Sequence, residues 1–453
     1  MSDLKPPQHG IEWGYGLFEA IPSWTVEPDM AVAKVIALRH LPRPLIPSNY
    51  EIRFFAAGAF NKLFLLHPLD DSSGTRESFI MRVSLPVDPY FKTASEVATL
   101  QFVRKNTDIP VPQIIAFDSS ADNELGFEWI LVSKLPGVPL KSLWESPDLV
   151  WEERVQITRM LAAYMKQLKN FKSSLMGNLY PSSRPEFERV AWLKDLSSKL
   201  RFFPLSDDPE FAIGPLTTYS FFCWDRIHLQ NGRCAFETSS SYLTSFLHLI
   251  ISSTKNRKIT ALKEDENDDV SELDFKIANC ESLLSVLPIF FPSDTSNAEI
   301  FSLYHDSISN NNILVDPITH HITGIVNWEI VSLQPQWEAA GVPELLEGPE
   351  VLEFQGNSQI PDMPPPPEPG ADETQMEDRE YLERMLLRRV FYNETGGDSK
   401  HRSRERLFDK KIYQVDFEIA SVRNWVNEVL EGKDPFPKEG EGINSIDHYW
   451  PEN

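Results

Sequence analysis

The sequence predicts a two-lobed α+β fold: an antiparallel five-stranded sheet carrying one helix, then a larger, mostly helical lobe. Three observations predict it. Between residues 48 and 136 the segments run strand, strand, strand, helix, strand, strand. From about residue 140 the apolar spacing turns helical. At 453 residues, the chain is too long for one small domain.

Residues 1–47 contain Pro and aromatic residues and one helical pattern, AVAKVIALRHL; they read as an extension packed on the body. NYEIRFFAAGAFNKLFLLHPL gives two strands around a turn. Ile52, Phe54, Leu63 and Leu65 alternate with their neighbours, and Gly58 falls in the turn. SFIMRVSLP is a third strand, stopped by Pro86. KTASEVATLQFVRKN is a helix with Val97, Leu100 and Val103 on one face. IPVPQIIAFDSS and FEWILVSKLPGVPL complete the first lobe, 48–136.

The helical lobe, 137–342, begins with WEERVQITRMLAAYMKQLKNF, apolar at Val155, Met160, Leu161, Tyr164 and Leu168. An insertion over about 178–290 is irregular and aromatic-rich in its first part. It includes ALKEDENDDVSELDF, a solvated acidic loop or helix start. DFKIANCESLLSVLPIFF is a helix leading to the loop LYHDSISNNNILVD. Residues 343–378 are Pro-rich and acidic, which predicts an exposed linker. In 379–453, REYLERMLLRRVFYNE and VDFEIASVRNWVNEVLEG predict two closing helices.

Composition excludes several function classes. The formal net charge is −24, from 67 acidic and 43 basic residues, which argues against nucleic acid and anionic lipid as partners. Cys223, Cys234 and Cys280 form no CxxC pair, so free thiols in a reducing compartment are expected. No apolar run reaches membrane-spanning length, and the start lacks a secretory pattern. The expectation is a cytoplasmic protein, with a mitochondrial address left open.

Five segments carry a resemblance: GAFNKLF, MRVSLPVDPYFKTASEVATL, IPVPQIIAFDSSADNELGFEWILV, YHDSISNNNILVD and GIVNWE, in this order over about 50–340. With them the chain resembles the aminoglycoside phosphotransferase family, whose fold is protein-kinase-like, and within it a large fungal branch. The resemblance implies ATP and Mg at the lobe junction and a small hydroxyl-bearing acceptor. It places Gly58 and Asn61 at the phosphate loop, Arg82 on the α- and β-phosphates, Glu96 as the residue that orients Arg82, His305 in the catalytic loop and Asn312 on a metal ion. Glycine suits such a loop because backbone N–H groups can approach phosphates closely; an ordinary hairpin turn is the other reading of Gly58. Arg at position 82 keeps the charge of the usual Lys but not its geometry.

Two positions depart from the family. There, His is followed by one variable residue and then by the Asp that handles the acceptor's proton. Here Ser307 holds that place, and Asp306 holds the variable one. The metal-bridging Asp is replaced by Asn327, ahead of Trp328 and Glu329. Losing general-base help costs about 100- to 10,000-fold. Losing a charge pair at about 4 Å costs on the order of 4 kcal/mol at an effective dielectric near 20. The preferred reading is therefore a pseudokinase acting by nucleotide or partner binding, with ATP and Mg weak or absent. The alternative is an active ATP- and Mg-dependent phosphotransferase, with Asp306 standing in for the lost base. In the insertion, Phe221, Phe222, Trp224, Arg226 and Arg233 either pack it on the helical lobe or cover the cleft. The acidic run at 264–274 is a solvated face or an attractor for a cationic substrate.

Overall fold

The computed structural model describes residues 8–433, except 16–19, 42–48, 70–76, 145, 147–148, 197–198, 230–232, 265–266, 293–297, 348–372, 397–403 and 418–420. Most of the segment read as a linker, and part of the N-terminal extension, therefore lie outside the described residues.

The extension opens with an antiparallel hairpin that the sequence reading did not anticipate, β1 (Ile11–Tyr15) and β2 (Ala20–Trp24). Helix α1 (Met30–His40) follows. Asp29 Oδ1 caps it by accepting from Ala31 N at 2.8 Å and Val32 N at 3.2 Å.

The first lobe contains β3 (Tyr50–Ala57), β4 (Asn61–Pro68), β5 (Phe79–Ser84), α2 (Phe91–Asn106), β6 (Ile114–Asp118) and β7 (Glu128–Ser133). The strands form one antiparallel sheet in the order β3-β4-β5-β7-β6. Both faces are apolar because both are covered. On one, Ile52, Phe64, Leu66, Met81 and Leu131 pack against Ala33, Ile36 and Ala37 of α1. On the other, Leu65, Ile80 and Ile130 pack against Val97 of α2.

Two details differ from the expectation. Phe54 does not point into the core; it is 56% exposed, where a bulge between Phe54 and Ala56 breaks the alternation. Helix α2 is not one-sided either: every residue from Phe91 to Leu100 is buried. Its second face meets the other lobe, with Phe91 and Ala94 packing on Tyr180 and Leu193.

The second lobe starts with β8 (Val138–Pro139), α3 (Lys141–Trp144) and the long α4 (Trp151–Asn170), then β9 (Lys172–Ser173). The insertion is more regular than its composition suggests. It holds β10 (Asn178–Pro181), α5 (Glu186–Arg189), α6 (Ala191–Leu196), β11 (Phe203–Pro204), β12 (Phe211–Gly214) and α7 (Tyr219–Phe222). Helices α8 (Ser239–Glu264) and α9 (Asn267–Phe290) pack along each other. The acidic run includes the end of α8 and the start of α9.

Next come β13 (Phe301–Tyr304), β14 (Ile313–Val315), β15 (Ile322–Ile325), β16 (Ser332–Pro335) and α10 (Gln336–Ala339). Among the described residues the tail carries three helices where two were expected: α11 (Glu373–Thr395), α12 (Arg404–Phe417) and α13 (Arg423–Leu430). Phe408, Ile412 and Val415, spaced four and three apart, give α12 a buried stripe. Its end is fixed by Asp416, whose Oδ1 meets Arg226 Nη2 at 2.5 Å and Lys276 Nζ at 2.8 Å. Among the described residues no helix is long and apolar enough to cross a membrane.

Candidate functional site

Three element ends converge at the lobe junction. Asn61 opens β4, Ser84 closes β5 opposite it, and Lys92 lies in the first turn of α2. All three side chains are buried, Lys92 to 1% exposure. A buried ammonium needs partners in every direction. Lys92 Nζ donates to Asn61 Oδ1 at 2.9 Å and Ser84 Oγ at 3.3 Å, and it meets Glu329 Oε2 at 2.9 Å.

Glu329 comes from the other lobe, 268 residues along the chain from Asn61. The Asn61 amide donates to both its oxygens, at 3.0 and 2.8 Å. Arg82, mid-strand in β5, meets Glu96 Oε1 through Nη1 and Glu329 Oε2 through Nη2, each at 2.8 Å. Arg82 Nε has no hydrogen-bond partner, and Nη2 meets Glu329 as an ion pair without hydrogen-bond geometry. Burial alone would raise the Glu329 pKa, but Arg82 and Lys92 hold it down at about 2. The Glu96 pKa is raised, because burial outweighs Arg82. Behind this group Glu128 is pushed up to about 8 by burial, although its carboxylate accepts from Tyr90 N and is held by Thr93.

The loop before β14 brings together the other expected residues. His305 is buried and in edge contact with the Trp328 ring, centroids 4.8 Å apart. Burial lowers its pKa to about 4, so the imidazole is neutral at pH 7. Ser307 Oγ donates to Asp306 Oδ1 at 2.9 Å, and the Asn312 amide donates to the Ser307 carbonyl at 2.8 Å. Asp306 still meets solvent, yet the protein crowded around it raises its pKa. Glu329 contributes to that rise, so Asp306 and Glu329 share one electrostatic neighbourhood. Asn327 adopts φ +66° and Ile330 φ +68°, bracketing Trp328 and Glu329 with left-handed backbone. Asn tolerates this conformation; a β-branched Ile does not.

At the β3–β4 turn, Gly58 N donates to the Asn61 carbonyl at 2.9 Å. A Cβ on Gly58 would meet nothing within 4 Å, so nothing the chain places nearby demands glycine there. The insertion packs on both lobes. Phe221 stacks inward on Phe246 and Tyr242, at 5.6 and 6.1 Å. Its neighbour Phe222 turns to the junction and packs on Phe60 of the same turn, 5.6 Å away, with Leu85 and Val87. Arg226 is spent on Asp416, and Arg233 makes a two-pronged ion pair with Asp88. Trp224 lies under the Arg257 guanidinium, 5.5 Å away.

These residues fit Mg poorly. The cation favours carboxylates together with phosphates and waters. Asn312 and Asn327 offer only amide oxygens, and among the described residues no three His, Cys, Asp or Glu side chains gather as a metal set. For nucleotide phosphates the cations Arg82 and Lys92 are present, but both already face Glu329. Lys92, Ser84, Glu128 and the anchoring role of Glu329 escaped the sequence reading. The available signal was polar residues on the inner side of a helix read as amphipathic.

The chain is similar to a subtelomeric hrmA-associated cluster protein of Aspergillus fumigatus, 28% identical over 327 residues, covering 65% of this chain and 60% of that protein. The chain thus spans about 60% of the length of the curated relatives it matches first. Among solved structures it is similar to the GDP and kanamycin complex of APH(2")-IIia, at 13% identity and TM-score 0.39, covering 88% of this chain and 90% of that one. It is also similar to choline kinase from Cryptosporidium parvum, at 13% identity and TM-score 0.37, covering 90% and 91%. The model of the APH phosphotransferase enzyme family matches residues 51–338, more than half of the chain. By that match this chain belongs to the APH phosphotransferase enzyme family.

Proposed function

We propose that this protein is a pseudokinase of the phosphotransferase fold, acting by weak nucleotide binding or by binding a partner. The observation that carries the reading is the pair Ser307 and Asn327, where phosphoryl transfer calls for two carboxylates. The Ser307 hydroxyl is committed to Asp306, and the Asn312 amide to the Ser307 carbonyl. Transfer depends on positioning and on charge placed where it develops. Two neutral side chains supply neither a proton acceptor nor a charge for the metal.

One observation favours a second reading, an active ATP- and Mg-dependent enzyme acting on a hydroxyl of a small molecule. Asp306 offers a carboxylate of raised pKa beside Ser307, a property suited to a general base. Thermal unfolding with ATP and Mg, with ATP and EDTA, and without nucleotide separates the two. The pseudokinase reading expects no Mg-dependent stabilisation at millimolar ATP. A tightly held complex would add about 2.7 kcal/mol at 100 times Kd, and that result would support the enzyme. The double variant Ser307→Asp/Asn327→Asp is expected to hydrolyse ATP faster than its parent. Brisk turnover by the parent would overturn the reading.

A further inference from the structure

We propose that Glu329 is a built-in phosphate mimic: its carboxylate fills an anion pocket made by Arg82, Lys92 and Asn61, and a polyphosphate enters only by displacing it. The proposal rests on the reading of the site given above.

Both Glu329 oxygens are engaged as those of a bound anion would be. Asn61 donates to each, and Arg82 Nη2 and Lys92 Nζ converge on Oε2 at 2.8 and 2.9 Å. Carboxylate and phosphate oxygens use the same charge-assisted donors. Charge balance supports the same conclusion. Arg82 and Lys92 face Glu96 and Glu329, so with Glu329 in place the pocket has no positive charge left for a phosphate. With Glu329 withdrawn, one cation is in excess and the buried Arg82 Nε, which has no acceptor, is available. Lys92 is too deeply buried to stand unpaired, so Glu329 leaves in exchange for another anion and not for water.

The backbone shows how the mimic is held. Ile330 at φ +68° holds a strained, left-handed backbone next to Glu329. Packing with Leu85, Val87 and Phe222 holds it there.

The test uses the full chain, inorganic tripolyphosphate as probe, EDTA throughout, and isothermal titration. Glu329→Gln is expected to bind tripolyphosphate at least about tenfold more tightly than the parent, equivalent to ~1.4 kcal/mol. Adding Arg82→Gln should abolish the gain. A folded Glu329→Gln protein with unchanged affinity would overturn the proposal, as would a gain that survives Arg82→Gln. Glu329→Asp keeps the charge but is one methylene shorter; it is the variant to measure if Glu329→Gln does not fold. It should still gain about threefold, about 0.65 kcal/mol, and no gain would again overturn the proposal. Metal-free binding reports on Glu329 alone, whereas ATP turnover by the parent reports on Ser307 and Asn327. The two ideas therefore fail separately.

Discussion

Two buried carboxylates in this molecule are each clamped by an Arg and a Lys. Glu329 lies between Arg82 and Lys92 at the lobe junction; Asp416 lies between Arg226 and Lys276 in the second lobe. Both pKa values are held at about 2 against the push of burial. The surroundings differ. Around Asp416 the excess cationic charge is met by backbone: Arg226 also donates to the Ser220 carbonyl at 2.8 Å, and Lys276 to the Asp416 carbonyl. Around Glu329 further carboxyl groups stand by, Glu96 on Arg82 and Glu128 behind Lys92. One cluster is a rivet joining α9, α12 and the turn after α7. The other has reserve acids, Glu96 and Glu128, which is what an exchangeable site requires. A buried ion triad alone does not distinguish these roles.

The comparison makes a ranked prediction. Asp416→Asn leaves Arg226 and Lys276 buried without a counter-charge and is expected to cost about 3–5 kcal/mol in urea unfolding. Glu329→Gln is expected to cost less, about 1–3 kcal/mol, because the amide keeps part of its hydrogen bonding, Glu96 still pairs with Arg82, and Glu128 stands near Lys92 to supply a charge. Equal losses would mean that Glu329 is also a rivet and would weaken its proposed role as an exchangeable anion.

The sequence made one half of this picture readable and hid the other. The sheet was legible because each strand of the first lobe is short, apolar and ended by Gly58, Pro86 or a polar loop. The Arg82–Glu96 pair was legible through motif spacing, and the structure holds the two at 2.8 Å. Lys92 was hidden because a lysine in a helix normally reads as solvent-facing. Its burial is decided by β10 and the insertion, far away in sequence. The Asn61–Glu329 contact spans 268 residues, beyond any local pattern. The β1–β2 hairpin and α12 were missed because Pro and charged residues masked short apolar stripes.

The last prediction is a pH dependence that separates the clusters. On the acid side they behave alike: each contributes stability above its unfolded pKa, lost as pH falls toward about 2. On the alkaline side only the junction carries Glu128, raised from 4.5 to about 8. Between those values the folded chain holds a proton there that the unfolded chain has released. Stability therefore falls as pH rises through this window, by up to about 1.4 kcal/mol per unit. Asp409, raised to about 7, shares the slope around that pH, so the contribution of Glu128 stands out most in the stretch from pH 7 to 8. Glu128→Gln should flatten that stretch in urea titrations, while Asp416→Asn leaves its slope as it is. In a Glu329→Gln background Lys92 loses its main counter-charge and favours an ionised Glu128. The decline should then move to lower pH. An unmoved decline would show that Glu128 does not sense Lys92 and that the junction lacks the reserve acid that distinguishes it from the rivet.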